Sequence, residues 1–183
     1  MRDISLHIMD LAQNSLSAGA KLITIDIEVI GDRLTFKLTD DGKGMPKEQV
    51  EAVVSPFVSS RTTRKVGLGI PLTKQSAEIT GGSFSVESSL GKGTVVSAKY
   101  VLSSIDCIPL GDLAGTLLSL ISGNPDSVDF AVNIKAGEKS FNMNTAYIKE
   151  MLSGISLNEP EVVKWLHGYL DENIADCLGG YIT

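Results

Sequence analysis

The feature that most constrains this chain is a pair of alternating runs, LITIDIEVI and RLTFKLT, joined by Gly31-Asp32. Ile23, Ile25, Ile27 and Val29 share one face, so the pair reads as a hairpin with one buried side. A sheet that is apolar on one face needs a cover. Helical spacing supplies it: Ile4, Ile8, Leu11, Ala12 and Ser15 or Leu16 recur over Ile4 to Ala18, with Asp3 as cap and Gly19 at the stop. Pro71 opens a second long helix, PLTKQSAEIT, closed by Gly81-Gly82. SFSVESS and TVVSAKYVL then form a second hairpin around LGKG. A short helix is expected from Pro46 to Val54, and SPFVSSRTTRKVGLG, without periodicity, as a loop. The unit reads helix, two strands, loop, helix, two strands: an α+β layer arrangement.

From about Ser103 the texture changes. PLGDLAGTLLSLIS predicts a helix, VDFAVNIK and KSFNMNT a hairpin around AGE, and TAYIKEMLSG and EPEVVKWLHGYLDENIADCL two closing helices. The expected division is 1–102 as the main domain and 103–183 as a small C-terminal α+β appendage.

The formal charge of -6 argues against a broad nucleic-acid surface, although one nucleotide needs only local positive charge. Cys107 and Cys177 have no metal-like spacing and fit reduced thiols in a cytoplasmic protein. Two histidines, His7 and His167, are too few and too scattered for a zinc site. MRDISLHIMD does not read as a signal peptide. The apolar stretch CIPLGDLAGTLLSLI is too short to span a membrane and carries Asp112.

Four polar stretches interrupt this pattern. In DDGKGM, Asp40 ends a strand beside Gly42 and Gly44, where a flat ring could approach the backbone. Asp10 and Asn14 stand one turn apart on the first helix. An Asn oxygen suits Mg²⁺, with waters and phosphate oxygens filling the other positions, and an acid one turn earlier can orient or deprotonate a water. His7, on the same side, is expected as a partner of Asp10 or as a surface residue. GLGI, Gly67 to Ile70, precedes a helix, so backbone N–H groups there can converge on phosphate. In GKGT, Thr94 can place a hydroxyl near a base. Each stretch taken singly also describes a turn, a hinge or a solvated face.

The ordered set does not. DLAQNSLSAGA, DDGKGM, GLGIPLTKQSAEITGG and GKGTVV resemble, in order, the boxes of the GHKL ATPases, the Bergerat-fold superfamily of gyrase, a heat-shock chaperone, histidine kinases and mismatch-repair ATPases. The resemblance covers about residues 1–102. It implies a two-layer α/β sandwich, a mixed sheet with helices on one face, binding ATP and Mg²⁺. Asn14 would hold the metal, Asp40 would accept from the adenine amine, and Gly42 and Gly44 would permit close stacking, with Met45 closing that box. Gly67, Leu68, Gly69 and Ile70 would meet the phosphates, and Thr94 would lie near the base. Ser55 to Val66 would be the ATP lid, anchored by Phe57, its Arg61 and Arg64 offsetting triphosphate charge.

Asp10 stands where the hydrolysing branches have Glu. It is one methylene shorter, so weak or absent hydrolysis is expected. The first box begins so near Met1 that no upstream phosphoacceptor hairpin is expected. The strand that the kinase branch has before that box is missing, and the hairpin Val128 to Thr145 is expected to compensate by extending or covering the sheet. Three functions stay open: a stand-alone kinase-like protein, of histidine or serine type, acting on a separate protein; an ATP-gated dimeric clamp with weak ATPase activity; and a non-enzymatic ATP sensor. A polypeptide partner or phosphoacceptor is expected, with homodimerisation left open.

Overall fold

The protein is described here by a computed structural model covering residues 2–54 and 68–181. It contains α1 (Ile4–Ser17), β1 (Leu22–Ile30), β2 (Arg33–Asp40), α2 (Lys47–Val54), α3 (Gly69–Ile79), β3 (Ser83–Ser89) and β4 (Gly93–Val101). There follow α4 (Leu113–Gly123), β5 (Asp129–Ala136), β6 (Lys139–Asn144), α5 (Thr145–Met151) and α6 (Pro160–Leu178).

The six strands of the described residues join one mixed sheet in the order β3-β4-β2-β1-β5-β6. Every neighbouring pair is antiparallel except β1 and β5, which run parallel with Ile25 opposite Val132. The C-terminal hairpin therefore extends the sheet, as expected. The parallel pairing needs a long crossover, and α4 lies within it.

Period-two alternation decides which face is covered. Ile25, Leu38, Val96 and Val132 stand abreast across four strands and are buried. The opposite face is polar: Asp26 accepts from Asn133 Nδ2 at 2.8 Å and pairs with Lys37 at 3.6 Å. On the apolar face the helices neighbour one another in the order α3, α1, α4, α6. One continuous core runs from Ile4 to Leu178.

Helix α1 is held at its start from two directions. Asp3 Oδ1 accepts from the N–H of Leu6 at 3.0 Å, satisfying one of the free donors of the first turn. The N–H groups of Ile4 and Ser5 donate to the carbonyls of Pro109 and Leu110 at 2.9 and 2.8 Å. The segment before α4 thus caps the helix that carries Asp10 and Asn14. Helix α3 begins at Gly69, not at Pro71. Proline lacks only an N–H that the first helical turn leaves free, so it fits the third position as well as the first.

Candidate functional site

Leu34, Phe36, Leu38 and Asp40 are successive inward positions of β2. The last of them exchanges an apolar side chain for a carboxylate that is only 6% exposed. A buried carboxylate must be hydrogen-bonded. Asp40 Oδ1 accepts from the N–H of Gly42 at 2.9 Å and of Thr94 at 3.2 Å. Asp40 Oδ2 accepts from Ser15 Oγ at 2.6 Å. With about two acceptor sites per oxygen, Oδ1 is filled and Oδ2 retains one.

That carboxylate lines a cavity of about 520 Å³ enclosed by α1, α2, α3, the end of β2 and the start of β4. Asn14, Gly44, Met45, Ile70 and Thr94 also line it, within the size range of small-ligand sites. The walls are apolar at Leu11, Leu38, Val53 and Val96, so a flat ring can be sandwiched while Asp40 fixes its edge.

The DDGKGM loop is tied down on all sides. Asp41 Oδ1 accepts from the N–H groups of Lys21 and Leu22 at 2.7 and 2.9 Å. The Leu22 N–H is the main reason its carboxyl lies below the ordinary carboxylate range. The Lys43 N–H donates to Ala18 O at 3.0 Å, and the Lys43 carbonyl accepts from Gly91 at 2.8 Å. The Met45 N–H donates to Ser88 Oγ at 2.8 Å, and that hydroxyl lies 2.9 Å from Thr94 Oγ1.

The two glycines of the loop serve this packing. Gly44 has φ +65, and a Cβ there would stand 2.0 Å from the Ser89 carbonyl oxygen. A Cβ on Gly42 would stand 2.9 Å from Ala18 Cβ and 3.0 Å from Asp40 Oδ1. Both glycines therefore have a packing reason within the protein itself, and Gly44 also lines the cavity. Gly42 does not line the cavity.

At the other end, Asp10 and Asn14 are exposed and converge on the first turn of α3. A Cβ on Gly69 would lie 3.1 Å from Asp10 Cβ and 3.8 Å from Asn14 Nδ2. Among the described residues no side chain caps α3, so the N–H groups of Gly69 and Ile70 could serve an anion. Gly69 and Ile70 belong to this first turn, and Leu68 is the exposed residue before it. The glycine box thus contains the start of the helix rather than preceding it. Among the described residues no cluster of three His, Cys, Asp or Glu could hold a metal ion. A cation here would rest on Asn14 and on oxygens brought by a ligand.

His7 corrects its expectation. It is 1% exposed, and its Nδ1 lies 2.9 Å from Thr73 Oγ1 on α3. Burial pushes its pKa down to about 4, so the ring is neutral at pH 7. Arg61, Arg64, Gly67, Phe57 and the proposed lid lie outside the described residues. Ser15, Lys43 and Gln49 also line the cavity and were not among the expected site residues. Ser15 had a readable signal, a hydroxyl within the buried stripe of α1.

Comparison with known proteins fits this geometry. Residues 2–103 match the family described as histidine kinase-, DNA gyrase B-, and HSP90-like ATPase. The chain belongs to this family. Asn14, Asp40, Gly44, Ile70 and Thr94, one or two from each polar stretch, line the cavity, and membership implies ATP binding. Sporulation kinase D of Bacillus subtilis is 31% identical over 100 residues, covering 53% of this chain and 19% of its own length. DNA mismatch repair protein MutL of Clostridium perfringens is 29% identical over 170 residues, covering 85% of this chain and 23% of its own. The chain thus spans about a fifth of the length of these relatives. A crystal structure of the N-terminal domain of a DNA repair protein shares the fold, with a TM-score of 0.56 at 14% identity, over 96% of this chain and 56% of that one.

Proposed function

We propose that the chain is a Mg²⁺-dependent ATP-binding protein that acts on a separate protein partner. The observation that carries this is the state of Asp40. A buried carboxylate with one oxygen filled by two backbone N–H groups, and one acceptor site left on the other, fits an exocyclic amine. Adenine offers such an amine, whereas guanine presents a carbonyl there.

In this reading Ser15, Gly42 and Thr94 hold Asp40 in register, while Leu38, Val53, Met45 and Val96 sandwich the base. The first turn of α3, at Gly69 and Ile70, meets the phosphates, and Asn14 supplies the protein oxygen for the metal. Bound Mg²⁺ would neutralise charge on the phosphates. Asp10 stands beside Asn14 and would orient a water or an acceptor hydroxyl. Its short side chain favours slow hydrolysis, so transfer to a partner or regulated binding is the principal output. Arg61 and Arg64 are assigned to the triphosphate. We place the protein in the cytoplasm and assign it a signalling role. Among the described residues no helix is long and apolar enough to cross a membrane.

One observation favours a second reading, the ATP-gated clamp. The mismatch-repair relative matches into the C-terminal half, over 85% of this chain, whereas the sporulation kinase covers only 53%. Incubation with γ-labelled ATP and cell extract separates the readings. Label on another protein supports the kinase, released phosphate alone the ATPase clamp, and binding without either the sensor. Asn14→Ala should abolish Mg²⁺-dependent binding or turnover; wild-type behaviour would refute the metal assignment.

A further inference from the structure

We propose that His7 is a positioning residue for the phosphate end of the site, holding the first turn of α3 through Thr73 in the second. This deepens the ATP reading above and rests on it.

The hydrogen-bond directions fix the arrangement. Thr73 Oγ1 lies 2.7 Å from the Gly69 carbonyl and 2.9 Å from His7 Nδ1. A hydroxyl has one proton, and a carbonyl can only accept, so Thr73 donates to Gly69. His7 must therefore donate from Nδ1 to Thr73. This leaves Nε2 as a bare acceptor, and among the described residues it is the one buried side-chain polar atom without a partner. A leucine would fill the position without that cost. The ring's polar contact is the donor on its other side.

That donor makes a brace. The Thr73–Gly69 bond lies within α3, and His7 belongs to α1. The chain His7 Nδ1–H to Thr73 to Gly69 therefore ties the first turn of α3 to the helix that bears Asp10 and Asn14. The tie closes at the residue where those helices meet: a Cβ on Gly69 would lie 3.1 Å from Asp10 Cβ. Groups that share a phosphate and its metal lose much of their effect when displaced by about 1 Å. Among the described residues Asp40, Ser15 and Thr94, at the base end, form a separate network with no hydrogen bond to this brace. His7 thus acts on one end of the ligand and not on the other.

Calorimetric titration of the full chain with Mg·ATP and with adenosine tests this. Thr73→Val and His7→Leu should each weaken Mg·ATP by about tenfold, the scale of one hydrogen bond. Adenosine affinity should change by less than about twofold, because its contacts lie on the other network. His7→Asn keeps an N–H donor at the place of Nδ1 and should restore most of the loss. Equal losses for both ligands would indicate a merely structural residue and overturn the inference, as would an unchanged Mg·ATP affinity. Wild-type protein that binds no Mg·ATP would remove the underlying reading and this inference with it; wild-type binding with an unaltered ratio in the variants would overturn this inference alone. Nitrogen NMR of the wild-type ring needs no variant. Protonated Nδ1 with bare Nε2 is expected at neutral pH, and the opposite tautomer would overturn the brace.

Discussion

Replacing Asp40 by Asn changes one atom of the site and reverses its chemistry. Oδ1 would still accept from Gly42 and Thr94, so the loop keeps two anchors. Nδ2 would replace Oδ2 and donate to Ser15 Oγ, whose proton could turn to the Leu11 carbonyl, 3.4 Å away. The fold should therefore lose only about 1 kcal/mol, one ordinary hydrogen bond. Ligand binding loses more. The adenine amine would lose a charged acceptor, about 1.5–3 kcal/mol, and would face a donor left without a partner, about 1–3 kcal/mol more. Together these amount to about 2.5–6 kcal/mol, or roughly two to four decades of ATP affinity. The guanine carbonyl would accept from the new donor, so the preference for ATP over GTP should shrink or invert. Calorimetric titrations of wild type and Asp40→Asn with both nucleotides measure this directly. An unchanged ATP affinity together with an unchanged ATP-to-GTP ratio would refute the assignment of Asp40 to the base.

Three further outcomes follow from the packing. Removing 103–183 strips β5 from β1 and uncaps Ile4 and Ser5, so residues 1–102 alone should show no cooperative melt by circular dichroism; a sharp transition would show that the appendage is dispensable. Gly44→Ala would push a methyl onto the Ser89 carbonyl at a left-handed φ, and should cost more than about 2 kcal/mol in urea unfolding; a loss below 1 kcal/mol would contradict the close approach. His7 has a folded pKa of about 4 against an ordinary 6.5, so the unfolded chain takes up its proton first as pH falls. Stability should therefore decline as pH falls from about 6.5 toward about 4, with a shallower slope in His7→Leu; identical slopes would mean that His7 is not buried neutral.

Much of this was legible because it is local. The alternation of Ile23, Ile25 and Ile27, and the stripe of Ile4, Ile8 and Leu11, report a covered face without knowledge of the cover. The strand and helix limits fell within a few residues of those observed. The four boxes announced a nucleotide site because their order is hard to meet by chance, even though each is an ordinary turn. The rest depends on contacts far apart in sequence. Nothing in VDFAVNIK specifies that it pairs parallel to LITIDIEVI, since either edge of the first hairpin offers the same unpaired backbone. His7 was misplaced for a related reason. Helical phase put it beside Asp10, but only the packing of α3 against α1 reveals that Thr73 closes over it. The spacing of Gly42 and Gly44 suggests room for a flat ring, but the neighbours that a Cβ would strike, Ala18 and Ser89, are remote in sequence.

The most direct test of the account is an amide NMR titration of the full chain with Mg·ATP. The account predicts saturable shifts at Gly42, Met45 and Thr94 around the buried carboxylate and at Gly69 and Ile70 in the first turn of α3, with Lys37 and Asn133 on the open sheet face unmoved. No shifts at saturating nucleotide in folded protein, or shifts confined to the open face, would contradict it.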